Sequence, residues 1–257
     1  MSYLLICIVA LLASALTFYS GFGLGTLLLP AFALFFPVEQ AVALTAVVHV
    51  LNSLFKLALT GRHADWRVVL RFGVPALAMS FLGAGVLVLL VDLAPVYSYT
   101  AFGRLVSVTP VKLVVGLLLL AFACLEFLPR FRDLSFGARY MPLGGLLSGF
   151  FGGLSGMQGA LRSAFLSRAG LTKEAFIATG VVIACLIDFS RIAVYSTGLA
   201  RESASFDHGL LLAAVLAAFA GAALGNSYLR KMTMPGIQRI VAAMLFLVSL
   251  GLVSGLL

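Results

Sequence analysis

Apolar blocks of about 20 residues, separated by short loops that carry most of the charge, are the feature that most constrains this chain. About 20 helical residues cross a bilayer core roughly 30 Å thick. Blocks of this length favour membrane helices over the alternating ten-residue strands of an outer-membrane barrel. The eight blocks lie at residues 3 to 36, 40 to 60, 68 to 91, 111 to 128, 141 to 167, 174 to 198, 208 to 228 and 237 to 257. The pattern predicts an all-α polytopic membrane protein with about eight transmembrane helices.

The composition agrees with a membrane protein. Hydrophobic residues make up 62% of the 257 residues and charged residues only 10%, with a mean hydropathy of +1.15. The net charge of +8 comes from Lys and Arg in loops beside the spans, where lipid headgroups are the expected neighbours. Because basic stripes with interleaved aromatic residues are missing outside the spans, we expect membrane lipids as partners and no nucleic acid.

Two of the blocks contain glycine-rich interruptions. The first block lacks the basic start of a signal peptide, so we interpret it as a retained span. Its 34 residues would form a helix of roughly 50 Å, which is too long for one crossing. Gly21, Gly23 and Gly25 in "SGFGLG" weaken helix formation, and Pro30 follows. The fifth block is similarly interrupted at "GGLSGMQG", so we predict broken helices at both stretches.

The interruptions form part of an internal repeat. The stretch from Gly23 to Pro30 precedes the stretch from Gly156 to Ser163 by about 133 residues. The following span, "AVALTAVVHVLNSLFKLALTG", aligns with "AFIATGVVIACLIDFSRIAVYSTG". This places Asn52 opposite Asp188 and Lys56 opposite Arg191. We predict two repeated four-span halves, residues 1 to 128 and 141 to 257, joined by a loop at 129 to 140. Basic residues are evenly divided between the two sets of loops, which leaves parallel and inverted repeats both open.

Helix ends within the membrane would provide one kind of substrate contact. A helix that restarts there exposes unpaired backbone N–H groups and the positive end of its dipole, and together these bind anions. Close helix packing is the alternative, since several of the glycines are four residues apart. The glycines predicted to contact substrate are Gly23, Gly25, Gly156 and Gly159.

Charged residues in the second half suggest a binding site for an anion. Arg162 follows the second interruption beside Gln158, where a cation would reinforce the field of the helix end. Its alternative role is to extend to lipid headgroups. Asp188 and Arg191 share one helical face near mid-span. Either Arg191 binds the substrate anion while Asp188 orients it or exchanges a proton, or the pair only orders the bundle.

The first half contributes a polar helical stripe of Thr45, His49, Asn52 and Lys56, at spacings of four, three and four residues. We predict that His49 and Asn52 contact substrate. His49 is also a candidate carrier of a coupling proton, because imidazole changes its charge near neutral pH. A hydrogen-bonded structural histidine is the alternative. Lys56 is expected to extend toward the membrane interface.

These segments resemble the sulfite exporter TauE/SafE family of membrane permeases. The resemblance covers nearly the whole chain, through "GFGLGTLLLP", "AVALTAVVHVLNS", "GGLSGMQGALRSAF" and "EAFIATGVV". The family pattern has two copies of a glycine-rich signature. Residues that match it are Gly21, Gly23, Gly25, Pro30, Gly153, Gly156 and Gly159, and residues that depart from it are Leu24, Gln158 and Ser163. The resemblance implies a two-half transporter of small sulfur-containing anions such as sulfite or sulfonates.

The leading functional prediction is a secondary transporter that binds its anion between the halves and works by alternating access. A phosphate-binding loop ending in Gly-Lys-Ser/Thr is missing from the sequence, so coupling to protons or to the membrane potential is expected. A passive anion channel is the alternative. A rhomboid-like serine hydrolase with Ser155 of "GLSG" as its nucleophile is a more remote alternative.

We expect no enzyme activity, no cofactor and no metal, because the spans lack clusters with metal-ligand spacing. Cys7, Cys124 and Cys185 lie far apart in apolar runs and are interpreted as small buried hydrophobic residues. The prediction places the protein in a bacterial inner membrane and is compatible with a homo-oligomer.

Overall fold

A computed structural model describes residues 2–18, 23–101, 103–127, 136–198, 207–228 and 235–257. Each predicted apolar block contains helix. In this part of the chain the helices are α1 Ser2–Leu16, α2 Leu24–Ala33, α3 Val38–Thr60, α4 Trp66–Val91, α5 Pro110–Phe127, α6 Met141–Ser155, α7 Gly159–Leu166, α8 Lys173–Gly198, α9 His208–Tyr228 and α10 Pro235–Ser254. Within α4, residues Val69–Gly73 form a π-helical turn.

Four helical segments are long and apolar enough to cross a membrane by themselves. These are Val38–His63, Trp66–Val91, Lys173–Thr197 and His208–Asn226. Shorter apolar helices accompany them, at Tyr3–Leu16, Leu24–Ala33, Pro110–Leu125 and Ala243–Ser254. Together with the composition, these helices identify an integral membrane protein. The count of eight crossings stays a prediction.

Both glycine-rich stretches contain an interruption. The first separates α1 from α2, which begins after Gly23 at a φ of +112°, while Gly21 lies outside the described residues. The second follows α6, where Gly156 has a φ of +80° and α7 begins three residues later at Gly159. Positive φ is open to glycine and strained for other residues, which explains the glycine at both helix ends.

Glycine also allows close packing between helices. A Cβ atom added to Gly149 or Gly153 of α6 would lie 2.1 Å from a backbone carbonyl oxygen of α4. One added to Gly221 of α9 would lie 2.2 Å from the Leu11 carbonyl oxygen of α1. The packing interpretation therefore holds for Gly149 and Gly153, whereas Gly156 forms the interruption.

Helices of the N-terminal half of the chain, within residues 2–127, pack against helices of the C-terminal half, within residues 136–257. The main pairs are α1 with α9, α4 with α6, α3 with α8, and α5 with α10. The helix before the interruption in each half thus lies against the helix of the third block in the other half. The interruptions, which follow α1 and α6, are thereby held inside the bundle.

An aspartate caps the helix of the third block in each half. Asp65 accepts hydrogen bonds from the Arg67 and Val68 N–H groups at 2.9 and 3.1 Å, at the start of α4. Asp207 accepts one from Leu210 N–H at 3.0 Å, at the start of α9. The Tyr3 hydroxyl also donates to Asp207, and this hydrogen bond lowers the pKa of the carboxyl group. Both caps satisfy N–H groups that the helix itself leaves open.

The sequence analysis did not predict a β-hairpin between α4 and α5. Strands β1 Tyr97–Ala101 and β2 Arg104–Val108 pair antiparallel, with Tyr97 opposite Val108. The Tyr99 hydroxyl donates to the Ser254 carbonyl oxygen at 2.7 Å, and Lys112 Nζ donates to the Gly255 carbonyl oxygen at 3.2 Å. The hairpin therefore lies against the end of α10.

Candidate functional site

The two interruptions meet inside the bundle. A Cβ atom added to Gly25 in the first turn of α2 would lie 3.3 Å from the Gly156 carbonyl oxygen. The His49 ring and the Thr45 methyl group would be its next neighbours, at 3.6 and 3.9 Å. Residues far apart in sequence thus converge at one point because each half brings an interrupted helix to it.

A buried carboxylate lies beside this contact and binds three side chains. Asp188 Oδ2 is 2.5 Å from His49 Nδ1. Asp188 Oδ1 accepts hydrogen bonds from Gln158 Nε2 at 3.1 Å and from Arg191 Nε at 3.0 Å. The side chains of Asp188 and Arg191 are fully buried, and that of His49 is 12% exposed. We call Asp188, His49, Gln158 and Arg191 the Asp188 cluster.

The guanidinium of Arg191 is only partly engaged by Asp188. Nη2 lies 2.9 Å from Asp188 Oδ1. This distance allows attraction between the two charges, but the pair does not have the geometry of a second hydrogen bond. Nη1 lies beside Gly156, 2.5 Å from where a Cβ atom would be, and has no hydrogen-bond partner within the described chain. Asp188 and Arg191 thus lie together on one face of α8. Arg191 still has N–H groups that can donate toward the interruption.

Gln158 joins the Asp188 cluster to Arg162. Its amide nitrogen donates to Asp188, while its amide oxygen accepts a hydrogen bond from Arg162 Nη1 at 3.1 Å. The Ser148 hydroxyl holds the Gln158 backbone by donating to its carbonyl oxygen at 3.0 Å. Arg162 is only 3% exposed, so the alternative in which it extends to lipid headgroups is wrong.

A pocket opens between the first interruption, α3, α7 and α8. The residues at the α1–α2 interruption, including Leu24, line one side, and apolar residues of α8 line another. Polar side chains from α3 and α7 complete the lining, and these are His49, Asn52, Ser53, Lys56 and Arg162. The pocket therefore joins elements of both halves and contains two side chains that are cations in their ordinary protonation state.

Lys56 is the residue whose position the sequence analysis missed. It is 7% exposed, and Nζ lies 5.4 Å from the centre of the Phe18 ring, at the first interruption. A cation over an aromatic face is favourable in a desolvated site. The expectation that Lys56 extends to the interface is wrong, although its place in the polar stripe with His49 and Asn52 was the signal that could have located it.

Asn52 is oriented as a donor. The Ser14 hydroxyl donates to Asn52 Oδ1 at 2.9 Å, which leaves the amide nitrogen as the donor of this pocket-lining residue. The start of α2 adds further donors. The first hydrogen bond of this helix runs from Leu27 N–H to the Gly23 carbonyl oxygen. The N–H groups of Leu24 to Thr26 precede that bond, at the positive end of the helix.

The predicted site residues thus fall into three groups. His49, Asn52 and Arg162 line the pocket. Gln158, Asp188 and Arg191 lie behind it and connect to it through hydrogen bonds. The predicted glycines form the interruptions, with Gly23 and Gly159 at the starts of α2 and α7, and Gly25 and Gly156 in contact between the halves.

Neither a metal centre nor a serine nucleophile emerges from the described residues. Within them, His, Cys, Asp and Glu do not gather in groups of three that could hold a metal ion. Cys7, Cys124 and Cys185 are free thiols; Cys185 is buried as expected, whereas Cys7 is only partly buried and Cys124 is exposed. Ser155 Oγ donates to the Phe151 carbonyl oxygen at 3.0 Å, a bond within its own helix.

Apolar helices that surround a polar pocket beside interrupted helices define a class of membrane transport protein. The family model described as Sulfite exporter TauE/SafE matches residues 6–252, and the chain belongs to this family. The protein is therefore a member of a family of membrane permeases. A comparison with curated proteins and one with solved structures gave no match.

Proposed function

We propose that the protein is a secondary transporter of small sulfur-containing anions, such as sulfite or sulfonates. The observation that carries the proposal is the pair Lys56 and Arg162 in one buried pocket. Asn52 and Ser53 add hydrogen-bond donors that would replace part of the water an anion loses on binding. Family membership supports the sulfur-anion class.

The proposed mechanism is alternating access between two repeated halves, residues 1–128 and 141–257. Three features support it: one interruption in each half, an aspartate cap on the helix of each third block, and the reciprocal packing of first against third blocks. The pocket lies where the halves meet. A relative movement of the halves would expose the pocket first to one side of the membrane and then to the other.

His49 is the proposed link between the anion and a coupling proton. Its ring lines the pocket, and its Nδ1 atom faces Asp188. A proton held between these two groups would be sensed by an anion in the pocket. Coupling to the membrane potential is the second proposed energy source, and the proposed location is a bacterial inner membrane.

Transport by the purified protein in liposomes tests the proposal. We expect saturable uptake of sulfite or a sulfonate, and we expect Arg162→Ala or Arg191→Ala to abolish it in folded protein. Arg168→Ala is the matched control, because Arg168 is exposed and should leave uptake unchanged. Full uptake in both the Arg162 and the Arg191 variant would refute the anion site.

The same liposomes separate a carrier from a passive anion channel. A carrier saturates with substrate, and unlabelled substrate on the far side accelerates its uptake of labelled substrate. A channel conducts without that acceleration. Linear, unaccelerated flux would replace alternating access with conduction through the same pocket.

A further inference from the structure

The second interrupted segment, α6 with α7, turns back on itself. The Phe165 ring near the end of α7 lies beside Gly144 near the start of α6, where an added Cβ atom would be 2.4 Å from the ring. Phe136 N–H, just before α6, donates to the Ala164 carbonyl oxygen of α7 at 3.2 Å. The chain therefore passes inward along α6, turns at Gly156, and returns along α7 to the side from which it came.

The first interrupted segment, α1 with α2, turns back in the same way. The Ser14 hydroxyl of α1 donates to Asn52 of α3 at 2.9 Å. Further along both segments, Lys56 Nζ lies 5.4 Å from the centre of the Phe18 ring, so α1 and α3 run in the same direction. Helix α2 runs against them, because it begins beside His49 in the middle of α3 and ends just before α3 begins. Helix α1 thus starts, and α2 ends, on the side where α3 starts.

Helices α3 and α8 run in opposite directions. His49 and Asp188 meet near the middle of both. Asp65 N–H, beyond the end of α3, donates to Thr179 Oγ1 near the start of α8 at 2.9 Å. The side on which α3 ends and α4 begins is therefore the side on which α8 begins, and we call it the α4 side. Eight consecutive crossings would instead make α3 and α8 parallel, since they belong to the second and sixth apolar blocks.

The two interrupted segments enter the bundle from opposite sides. An added Cβ atom on Gly145 of α6 would lie 2.2 Å from the Phe72 carbonyl oxygen of α4. One added to Gly153, further along α6, would lie 2.1 Å from the Ser80 carbonyl oxygen, so the two helices are parallel and the second segment enters from the α4 side. The first segment enters from the opposite side, where the β-hairpin lies, and we call this the β-hairpin side. Their turning points meet at the contact between the two interruptions.

The outer helices agree with this arrangement. The Tyr3 hydroxyl donates to Asp207, so α9 begins beside the start of α1 on the β-hairpin side. Lys112 Nζ, at the start of α5, donates to the Gly255 carbonyl oxygen at the end of α10 at 3.2 Å. Glu39, at the start of α3, attracts the same Lys112. Helices α5 and α9 therefore begin, and α10 ends, on the β-hairpin side.

The positions of the basic residues support the arrangement independently. Among those that lie between these helices or near their ends, eleven belong to the α4 side, and these are Arg62, Arg67, Arg71, Arg130, Arg132, Arg139, Arg168, Lys173, Arg230, Lys231 and Arg239. Three belong to the β-hairpin side, and these are Arg104, Lys112 and Arg201. Eight consecutive crossings divide the same residues evenly. Because cytoplasmic loops carry an excess of Lys and Arg, the unequal division is the one expected in a membrane, and it makes the α4 side cytoplasmic.

We propose that both interrupted segments are re-entrant, that six of the described helices cross the membrane, and that the pocket receives its anion from the cytoplasm. The crossings are α3, α4, α5, α8, α9 and α10. Each half is then one re-entrant segment followed by three crossings, and the halves are inverted repeats. Lys56 near the end of α3 and Val181 in the first half of α8 place the pocket on the α4 side of the contact between the interruptions. The inference rests on the proposed function, since it names the side from which the transported anion enters.

Labelling of single cysteines in spheroplasts tests the arrangement of the helices. Cys replaces Ser2, Arg62, Arg104 or Arg168 in full-length protein that has Ala at its three native cysteines. A membrane-impermeant maleimide should label Ser2→Cys and Arg104→Cys directly. It should label Arg62→Cys and Arg168→Cys only after the membrane is permeabilised. Eight consecutive crossings would pair Ser2 with Arg62 and Arg168 with Arg104, and that result would overturn the proposal.

Access to the pocket tests the side of loading. Ser53 lines the pocket, so Ser53→Cys in the same background should react with a membrane-impermeant methanethiosulfonate reagent. We expect reaction from the cytoplasmic face of inverted vesicles to be at least about tenfold faster than from the outer face of spheroplasts, because a minor state is populated to about 10% or less. Ser167→Cys and Ser98→Cys, both at exposed positions, are the matched controls for the cytoplasmic and the outer face. Equal rates at Ser53→Cys, a faster outer rate, or no reaction from either face would overturn loading from the cytoplasm.

The failures of the two proposals are distinguishable. Folded wild-type protein that transports no anion in liposomes would refute the proposed function and leave the labelling pattern intact. Labelling of Ser2→Cys together with Arg62→Cys would refute the re-entrant arrangement without bearing on anion transport. Direct labelling of Arg62→Cys in place of Arg104→Cys would overturn cytoplasmic loading alone. The loop positions leave the pocket unchanged, so their result stands even if Ser53→Cys does not fold.

Discussion

The contacts of Asp188 explain how a membrane helix can keep charged residues near its middle. Its carboxylate lies within hydrogen-bond distance of His49, Gln158 and Arg191, which come from three separate helical segments or their ends. Each contact offsets part of the free energy lost when the carboxylate leaves water. A charge here is therefore compatible with folding because it binds across the bundle, and this also fixes where the His49 ring faces.

Asp188→Asn should lower the free energy of unfolding by about 3–5 kcal/mol, because it leaves Arg191 buried without its counter-charge. Adding Arg191→Gln should recover part of that loss, since the uncompensated charge is removed. Unfolding in detergent micelles measures both changes. Ser196→Ala on the exposed face of α8 is the control and should have little effect. An unchanged stability in Asp188→Asn would contradict the assigned ion pair.

At the scale of the helix, glycine has two separate uses. In α6, Gly149 and Gly153 allow the α4 backbone to approach so closely that no side chain fits. Gly156 instead ends the helix at positive φ and leaves room for the Arg191 guanidinium. A single glycine-rich stretch therefore packs one helix and terminates it, which is why the packing and interruption interpretations both apply.

Gly156→Ala should destabilise the protein by at least about 1–2 kcal/mol, the penalty for a side chain in the left-handed region. It should also displace Arg191, since the new Cβ atom would lie 2.5 Å from Nη1. Gly85→Ala in α4 is the comparison: its Cβ atom meets nothing within 4 Å, and helix propensity favours it by up to about 1 kcal/mol. Equal stability of the two variants in thermal unfolding would argue against the strained interruption.

At the scale of the whole molecule, the pocket lies between the two halves, and each half contributes one basic side chain to it. Its cations come from α3 in the first half and α7 in the second. A bound anion would attract both and would therefore stabilise the contact between the halves. The anion and the folded bundle are expected to stabilise each other.

A bound anion should raise the free energy of unfolding by about 2.7 kcal/mol when its concentration is a hundred times its dissociation constant. Arg162→Gln should lose most of this increase while the unliganded protein stays folded, because Gln removes a pocket charge. Thermal unfolding with increasing thiosulfate measures the effect, with Arg168→Gln as the exposed control. An unchanged anion effect in Arg162→Gln would exclude Arg162 from the site.

The segment pattern was predictable because it depends on local properties. Apolar length located the helical blocks, and the glycines at 23 and 156 located both interruptions. The hairpin at Tyr97–Val108 was missed, because its short alternating strands lie between two long apolar blocks that dominate the hydropathy signal. The repeat, its boundaries and the number of crossings stay predictions.

The sequence by itself determined that Lys56, Arg162 and Arg191 lie in or beside apolar helices, and which of their neighbours share a helical face. The spacing of Asp188 and Arg191 already placed that pair on one helical face, whereas only the tertiary structure decided which cations meet the pocket. Helix periodicity fixes the direction of a side chain on its own helix, but its partner comes from a helix elsewhere in the chain. Asp188 reaches Arg191 within α8, whereas Lys56 meets Phe18 and the pocket only because α1, α3 and α7 pack together.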